Sequence, residues 1–298
     1  MTSCNSSKGA YAALLTAMFG AFIAMTVSAQ EPTEGSNLRA DVLSIGGSVT
    51  EIVAALGQEH RLKARDTTSS YPPEVTKLPD VGYMRALSPE GVLSVGPSLI
   101  LSEEGAGPPE ALEVIRAADV SFVEVPDALT PDGILRKIEI VGDALGVPDR
   151  ADGLAAEVET ALASALRDAE RPEADKRRVL FVLSTQGGKI TASGTGTAAD
   201  ALIRMASGVN AVTEYEGYKQ ITDEAVGLAA PDVILMMDRG GDHGVADEDL
   251  FDMPAIRLTP AAQTRSVLRM DGLLMLGFGP RTAEAVRALN DALYAEGT

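Results

Sequence analysis

Two twelve-residue stretches of this chain read as copies of one another. "EGVLSVGPSLIL" begins at Glu90 and "EAVGLAAPDVIL" begins at Glu224. Aligned without gaps, they share Glu90/Glu224, Val92/Val226, Pro97/Pro231, Ile100/Ile234 and Leu101/Leu235, with Leu99 opposite Val233. Each reads as a short helix, a proline turn that cannot prolong it, and a buried strand. Any helix–proline–strand unit has some of this look. One such unit in each half, matched at five named positions, favours a duplicated architecture.

The rest of the chain alternates in the same way. "DVLSIGG" reads as a buried strand and "SVTEIVAALG" as a helix with Ser48 or Thr50 as its cap and Gly57 as its stop. "SLILSEE", the helix "PPEALEVIRAAD" and the strand "SFVEVP" follow. "TPDGILRKIEIVGDALGV" opens with Thr130 as cap and Pro131 at the first helical position. Its apolar residues Ile134, Leu135, Ile138, Val141 and Leu145 keep helical spacing. A second helix is expected from Pro148 to Glu170, roughly 33 Å long at 1.5 Å per residue, enough to pass from one lobe to another. After "RPEADKR" the pattern restarts: a strand "RRVLFVLS", a hairpin in "TQGGKITASG", a helix "TAADALIRMASG" stopped by Gly208, a strand "PDVILMMD", and the C-terminal helix "PRTAEAVRALNDALYAE". The expected fold is α/β: two Rossmann-like lobes bridged by a long helix, with a ligand cleft between them. Residues 37–130 form the first lobe, 131–172 the helical linker and 176–298 the second lobe.

The first thirty residues differ from the rest. They carry one positive charge, Lys8, then an apolar run from Ala10 to Val27, and small residues at Val27 and Ala29. This is the pattern of a secretory signal peptide, residues 1–29, cleaved after Ala29. An uncleaved anchor is the alternative, but the run is short for a span and lacks a basic stop. Cys4, the single cysteine, would leave with it, so the fold needs no disulfide. The expected location is the periplasm.

Charge and catalytic inventory narrow the function. A formal net charge of −18 repels phosphate backbones and anionic lipid surfaces, so no nucleic-acid partner is expected. The motifs of serine hydrolases, zinc proteases and phosphate-binding loops are missing. There are two histidines. His60 follows a helix stop and reads as solvated. His243 lies in the Gly/Asp-rich "DRGGDHGVADEDL", which lacks the acidic spacing of a calcium loop. "GTGTAADALI" places backbone N–H groups where a carboxylate can dock, although ordinary capping by Thr195 or Thr197 is the commoner use of such a turn.

The stretch "DTTSSYPPEV" is less ordinary. Aromatic residues make up 4% of the chain and tryptophan is absent, yet five small polar residues lead to Tyr71 and two prolines follow it. The prolines keep the ring out of any helix, on a stiff loop. A phenolate is a recognised ligand of haem iron, and a nearby guanidinium favours the anion. Arg85 in "GYMRALSPEG" and Arg239 in "MMDRGGD" stand at element ends in the two halves. On the residues alone, a partly exposed packing tyrosine is the commoner reading.

Taken together, "DTTSSYPPEVTKLPDVGYMRALSPEGVLSV", "GTGTAADALI", "MMDRGG" and "MDGLLMLGFGPRTAEA" resemble the periplasmic haem-binding proteins of ABC-type haem importers, over about Arg39 to Leu293. The Tyr-Pro loop is the most specific element. The two Glu-helix-Pro-strand units are shared with cobalamin and ferric-siderophore binding proteins of the same class, which supply the alternative ligands. The resemblance implies a non-enzymatic carrier with ferric haem in the cleft between lobes and Tyr71 as the iron ligand. Arg85 is expected beside the phenolate, and Arg239 as its less certain alternative or as a propionate partner. Some relatives add a second-lobe histidine. "STQGGKITASG" holds none, so five-coordinate haem is expected, with His243 left open as a sixth ligand. The implied partners are an inner-membrane ABC permease dimer with its ATPase subunits and an upstream outer-membrane haem receptor. Glu90 and Glu224 fall where that family docks one glutamate per lobe onto permease arginines.

Overall fold

A computed structural model describes residues 40–238 and 245–295. The leader, Arg239 and His243 lie outside the described residues.

The first sheet is built from β1 (Val42–Ile45), β2 (Leu62–Arg65), β3 (Leu99–Glu103) and β4 (Ser121–Val125), in the order β2-β1-β3-β4 and parallel throughout. Three helices cross between its strands: α1 (Gly47–Ala55), α2 (Pro89–Ser94) and α3 (Pro109–Arg116). β1 is buried at every position because it lies between β2 and β3 with both faces covered, which is why it reads as an unbroken apolar run. The strand order reverses beside β1, so a crevice opens at the carboxyl ends of β1 and β3. The turn into α1 is made by Gly46, at φ +105°, where an added Cβ would lie 2.5 Å from the Glu103 side chain. Gly46 is therefore the cap. Ser48 and Thr50, expected in that role, are turned to tertiary partners instead.

Two packed helices follow, α4 (Pro131–Leu145) and α5 (Pro148–Ala169), with Thr130 capping α4 as expected and left-handed Gly146 ending it. Gly142 lets the pair close: a Cβ there would lie 2.2 Å from Ala151 Cβ.

The second sheet is mixed. Its strands are β5 (Arg178–Ser184), β6 (Ile190–Ser193), β7 (Val209–Asn210), β8 (Tyr218–Ile221), β9 (Val233–Asp238) and β10 (Val267–Asp271). Their order is β10-β9-β5-β6-β8, with β7 beside the start of β5. β5 and β6 form the expected hairpin. The helices are α6 (Ala198–Met205), α7 (Asp223–Ala229), α8 (Asp247–Asp252), α9 (Pro260–Thr264), α10 (Gly272–Leu276) and α11 (Thr282–Tyr294). α6 stops earlier than expected, with Ser207 rather than Gly208 taking the left-handed turn. The duplicated sequence unit is a duplicated structure: α2 leads through Pro97 to β3, and α7 through Pro231 to β9.

One continuous core joins the two sheets. Val42, Leu101 and Val125 belong to the same buried cluster as Val179, Phe181 and Leu235, through Val158 and Leu162 of α5 and Val286 and Leu289 of α11. Apolar burial of this extent is the main term holding the lobes to the helical spine. Among the described residues no helix is long and apolar enough to cross a membrane.

Candidate functional site

The small polar run before Tyr71 is a bracket. Asp66 is fully buried, and a buried carboxylate needs a donor for each oxygen. Its Oδ1 accepts from the Gly46 N–H at 3.0 Å and the Ser69 hydroxyl at 2.7 Å. Its Oδ2 accepts from the Thr68 N–H at 2.9 Å and the Thr68 hydroxyl at 2.7 Å. Ser69 continues a hydroxyl chain through Thr50 to Ser44, each step 2.6 Å. Thr67 is pinned to the returning segment by its N–H to Gly82 O at 3.0 Å and its hydroxyl to Asp80 at 3.1 Å. Short side chains that fold back on nearby backbone suit this task. The loop is thus fixed from both sides, and it delivers Tyr71 at its tip, 39% exposed.

Arg281 lies on the ring of Tyr71, its Cζ 3.6 Å from the ring centroid. Its Nη2 and backbone N–H donate to the two oxygens of Glu51 at 3.0 and 3.2 Å. Burial works against the charge of Arg281, but the bond to Glu51 and its negative charge outweigh it. The guanidinium therefore sits above its ordinary range. Arg85, expected beside Tyr71, donates instead to the Tyr83 hydroxyl at 3.2 Å. Arg281 was present in the quoted "GFGPRTAEA", and its signal was positional. A cation at the start of a helix opposes the helix dipole, so it needs a reason to be there.

A second unanticipated group lies buried between the elements. Lys137 of α4 is fully buried, and its Nζ donates to Glu103 Oε1 and Asp127 Oδ1, both at 2.8 Å. Ser48 also donates to Glu103 Oε1. The carbonyl of Gly277, from the segment after α10, lies 3.5 Å from the same Nζ. Burial pushes the Glu103 carboxyl up. For Lys137 burial is the largest influence and lowers, but the two adjacent carboxylates prevail and hold it charged. Helix α1, the end of β3, the segment after β4, the helical spine and the segment after α10 meet at this one ammonium.

The glycine-rich turn before α6 is filled by the chain itself. Thr197 caps the helix by accepting from the Asp200 N–H at 3.0 Å, and the buried Asp200 accepts from Gly196 N–H at 3.1 Å and Asn210 at 3.1 Å. The capping alternative therefore holds, and the donor of Gly196 is taken by an internal carboxylate. His60 is exposed, as expected. Glu90 and Glu224 are exposed in the first turns of α2 and α7, behind the caps Ser88 and Thr222.

The model of one protein family, described as periplasmic binding protein, matches residues 42–273. The chain belongs to the periplasmic binding protein family. This periplasmic binding protein is similar in structure to the periplasmic haem-binding protein BhuT, solved in complex with two haems. The two are 38% identical with a TM-score of 0.80, covering 85% of this chain and 97% of that one. It is 27% identical over 257 residues to an ABC transporter substrate-binding lipoprotein, YvrC, of Bacillus subtilis, covering 86% of this chain and 80% of that protein. It is 24% identical over 216 residues to the vitamin B12-binding protein of Pectobacterium carotovorum, covering 72% of this chain and 76% of that one.

Proposed function

We propose that this periplasmic binding protein captures ferric haem in the cleft between its lobes and delivers it to an inner-membrane ABC permease with its ATPase subunits. It acts as a carrier and not as an enzyme. The observation that carries the reading is Tyr71: an exposed phenol on a loop braced by the buried Asp66, its ring plane fixed by Arg281. A phenolate is a ligand that haem iron accepts, and a preset ring lowers the ordering cost of binding. The likeness to a haem-binding protein at 38% identity supports the same ligand. The hairpin of β5 and β6 brings no histidine, which supports five-coordinate haem on Tyr71, with His243, outside the described residues, kept as the alternative sixth ligand. Arg85 and Arg239 are proposed as partners for the carboxylates that such a ligand carries. The leader 1–29 is proposed as the cleaved signal, and an outer-membrane haem receptor as the upstream donor.

A vitamin B12-binding relative keeps a cobalamin carrier as the second reading. Cobalamin and ferric siderophores arrive with their metal already coordinated, and a presented phenol has no task there. Titration of haemin into the purified protein tests the choice. An intense Soret band with a long-wavelength tyrosinate feature is expected. A protein that gains no band with haemin but binds cobalamin would reverse the assignment.

A further inference from the structure

A lysine ammonium has three protons to donate. Glu103 and Asp127 take two from Lys137, both at 2.8 Å. The third is shared by the Ser48 hydroxyl at 3.4 Å and the Gly277 carbonyl at 3.5 Å. These last two contacts lead to the same place. Ser48 stands one helical turn before Glu51 on α1, and Gly277 stands four residues before Arg281. Glu51 and Arg281 are the pair that mounts a guanidinium on the ring of Tyr71.

The stretch from Gly277 to Arg281 has little freedom of its own. An added Cβ at Gly277 would lie 2.6 Å from the Leu273 carbonyl. One at Gly279 would lie 3.5 Å from Glu51 Oε1 and 3.6 Å from Ser48 Cα, so this turn packs directly on the first turn of α1. Phe278 is buried in the core shared by the two sheets and has φ +50°. A bulky side chain keeps that conformation only where its surroundings impose it. Pro280 fixes the next soft angle. The Tyr71 loop rests on the same helix turn, since a Cβ at Gly47 would lie 2.8 Å from the Thr68 carbonyl. A displacement at Gly277 is therefore passed on to Arg281 and not absorbed on the way.

We infer that Lys137 is a positioning residue for the Tyr71 site: by tying Ser48 to Gly277 it sets where the Arg281 guanidinium lies on the ring. Lys137 is fully buried and acts through Arg281, not on a ligand. The placement of the ring is a property of the ligand-free protein. Its consequence for iron ligation rests on the haem reading above.

The test is a double-mutant cycle in protein labelled with fluorotyrosine, the Tyr71 resonance being identified by its loss in Tyr71→Phe. Fluorine NMR of the ligand-free protein is compared for wild type, Lys137→Met, Arg281→Gln and the double variant, and haemin dissociation is timed in the same four. Arg281→Gln should move the Tyr71 resonance, Lys137→Met should move it in the same direction, and the double variant should move it no further than Arg281→Gln. Lys137→Met should speed haemin loss about threefold or more, and should add nothing once Arg281 is gone. Gly277→Ala keeps the ammonium and shifts the carbonyl. It should reproduce the resonance shift, and it replaces Lys137→Met in the cycle if that variant does not hold its fold. A Tyr71 resonance that stays in place, or that moves equally with and without Arg281, assigns Lys137 to the core alone and overturns the proposal. Expected resonance shifts in a protein that binds no haemin would overturn the haem reading and leave the positioning role standing.

Discussion

Arg281 stacks on Tyr71 with its Cζ 3.6 Å from the ring centroid, while both its backbone and its guanidinium are bound by Glu51. The three residues come from the loop after β2, from α1 and from the start of α11. Arg281 stands 210 positions after Tyr71 (281 − 71), so the contact forms only when both ends of the fold are in place. The tyrosine is therefore held by tertiary structure and not by its prolines alone.

Replacing Tyr71 by Phe keeps the ring and its contact with Arg281 and removes only the oxygen. The variant should melt within a degree or two of wild type and lose the tyrosinate spectrum, with haemin affinity reduced by at least about a hundredfold, roughly 3 kcal/mol. Absorbance titration with haemin checks this. A variant that keeps the wild-type spectrum would show that Tyr71 does not reach the iron.

Removing Arg281 strands Glu51, whose side chain is 6% exposed. Breaking such a pair from one side costs about 3 kcal/mol, because the remaining carboxylate is left without its counter-charge. Arg281→Ala should therefore lower the urea midpoint and also loosen Tyr71, while Glu51→Gln in the same chain should return part of the stability but not the ring contact. The readouts are a double-mutant cycle in urea and haemin dissociation rates. Additive losses of stability would argue against a direct pair.

Lys137 gives a pH test. Burial raises Glu103, so its folded value lies above the unfolded one, near 4.3. The stability such a group contributes is complete below the unfolded value and lost as pH rises through the folded one. In wild type the ammonium of Lys137 offsets part of that loss, although burial still prevails. Lys137→Met removes the offset, so the variant should be least stable relative to wild type at pH 7, by about 3 kcal/mol, and should close the gap as pH falls toward 4. Urea melts at pH 7, 5.5 and 4 measure it, and a gap independent of pH would assign the loss to packing alone.

Much of the frame was legible because burial writes itself as apolar runs. β1, β3, β5 and β9 are such runs, and α4 carries both its cap and its stop. What escaped was structure made by polar residues. β2, "LKAR", and β8, "YKQI", expose alternate or most side chains, so they lack that signal. Ser48 and Thr50 looked like caps, since local pattern cannot tell a hydroxyl that caps from one that binds a residue far along the chain. Tyr71 stands out by the oddity of its loop, whereas nearness in sequence points to Arg85 as its cation and the fold brings Arg281 instead. Lys137 was visible in principle: it lies three residues after Ile134 and four before Val141, on the buried face of α4. A lysine on that face implies buried acids, and no spacing says which.

The final prediction concerns Glu90 and Glu224. Each sits in the first turn of its helix, where the helix dipole favours a carboxylate, and either one alone needs no further reason. Both also stand seven residues before the proline of a duplicated unit, one per lobe, and both are exposed. Two acids set by one architecture suit a two-fold symmetric basic partner, as a permease dimer would be. Exposed charges of this kind govern encounter and orientation more than affinity for a ligand elsewhere. The double variant Glu90→Ala, Glu224→Ala should thus bind haemin like wild type, melt like wild type, and fail to stimulate ATP hydrolysis by the cognate importer in vesicles. Each single variant should retain part of the stimulation, and the defect of either should deepen with added salt as screening weakens the charge that remains. Full stimulation by the double variant would remove both residues from docking.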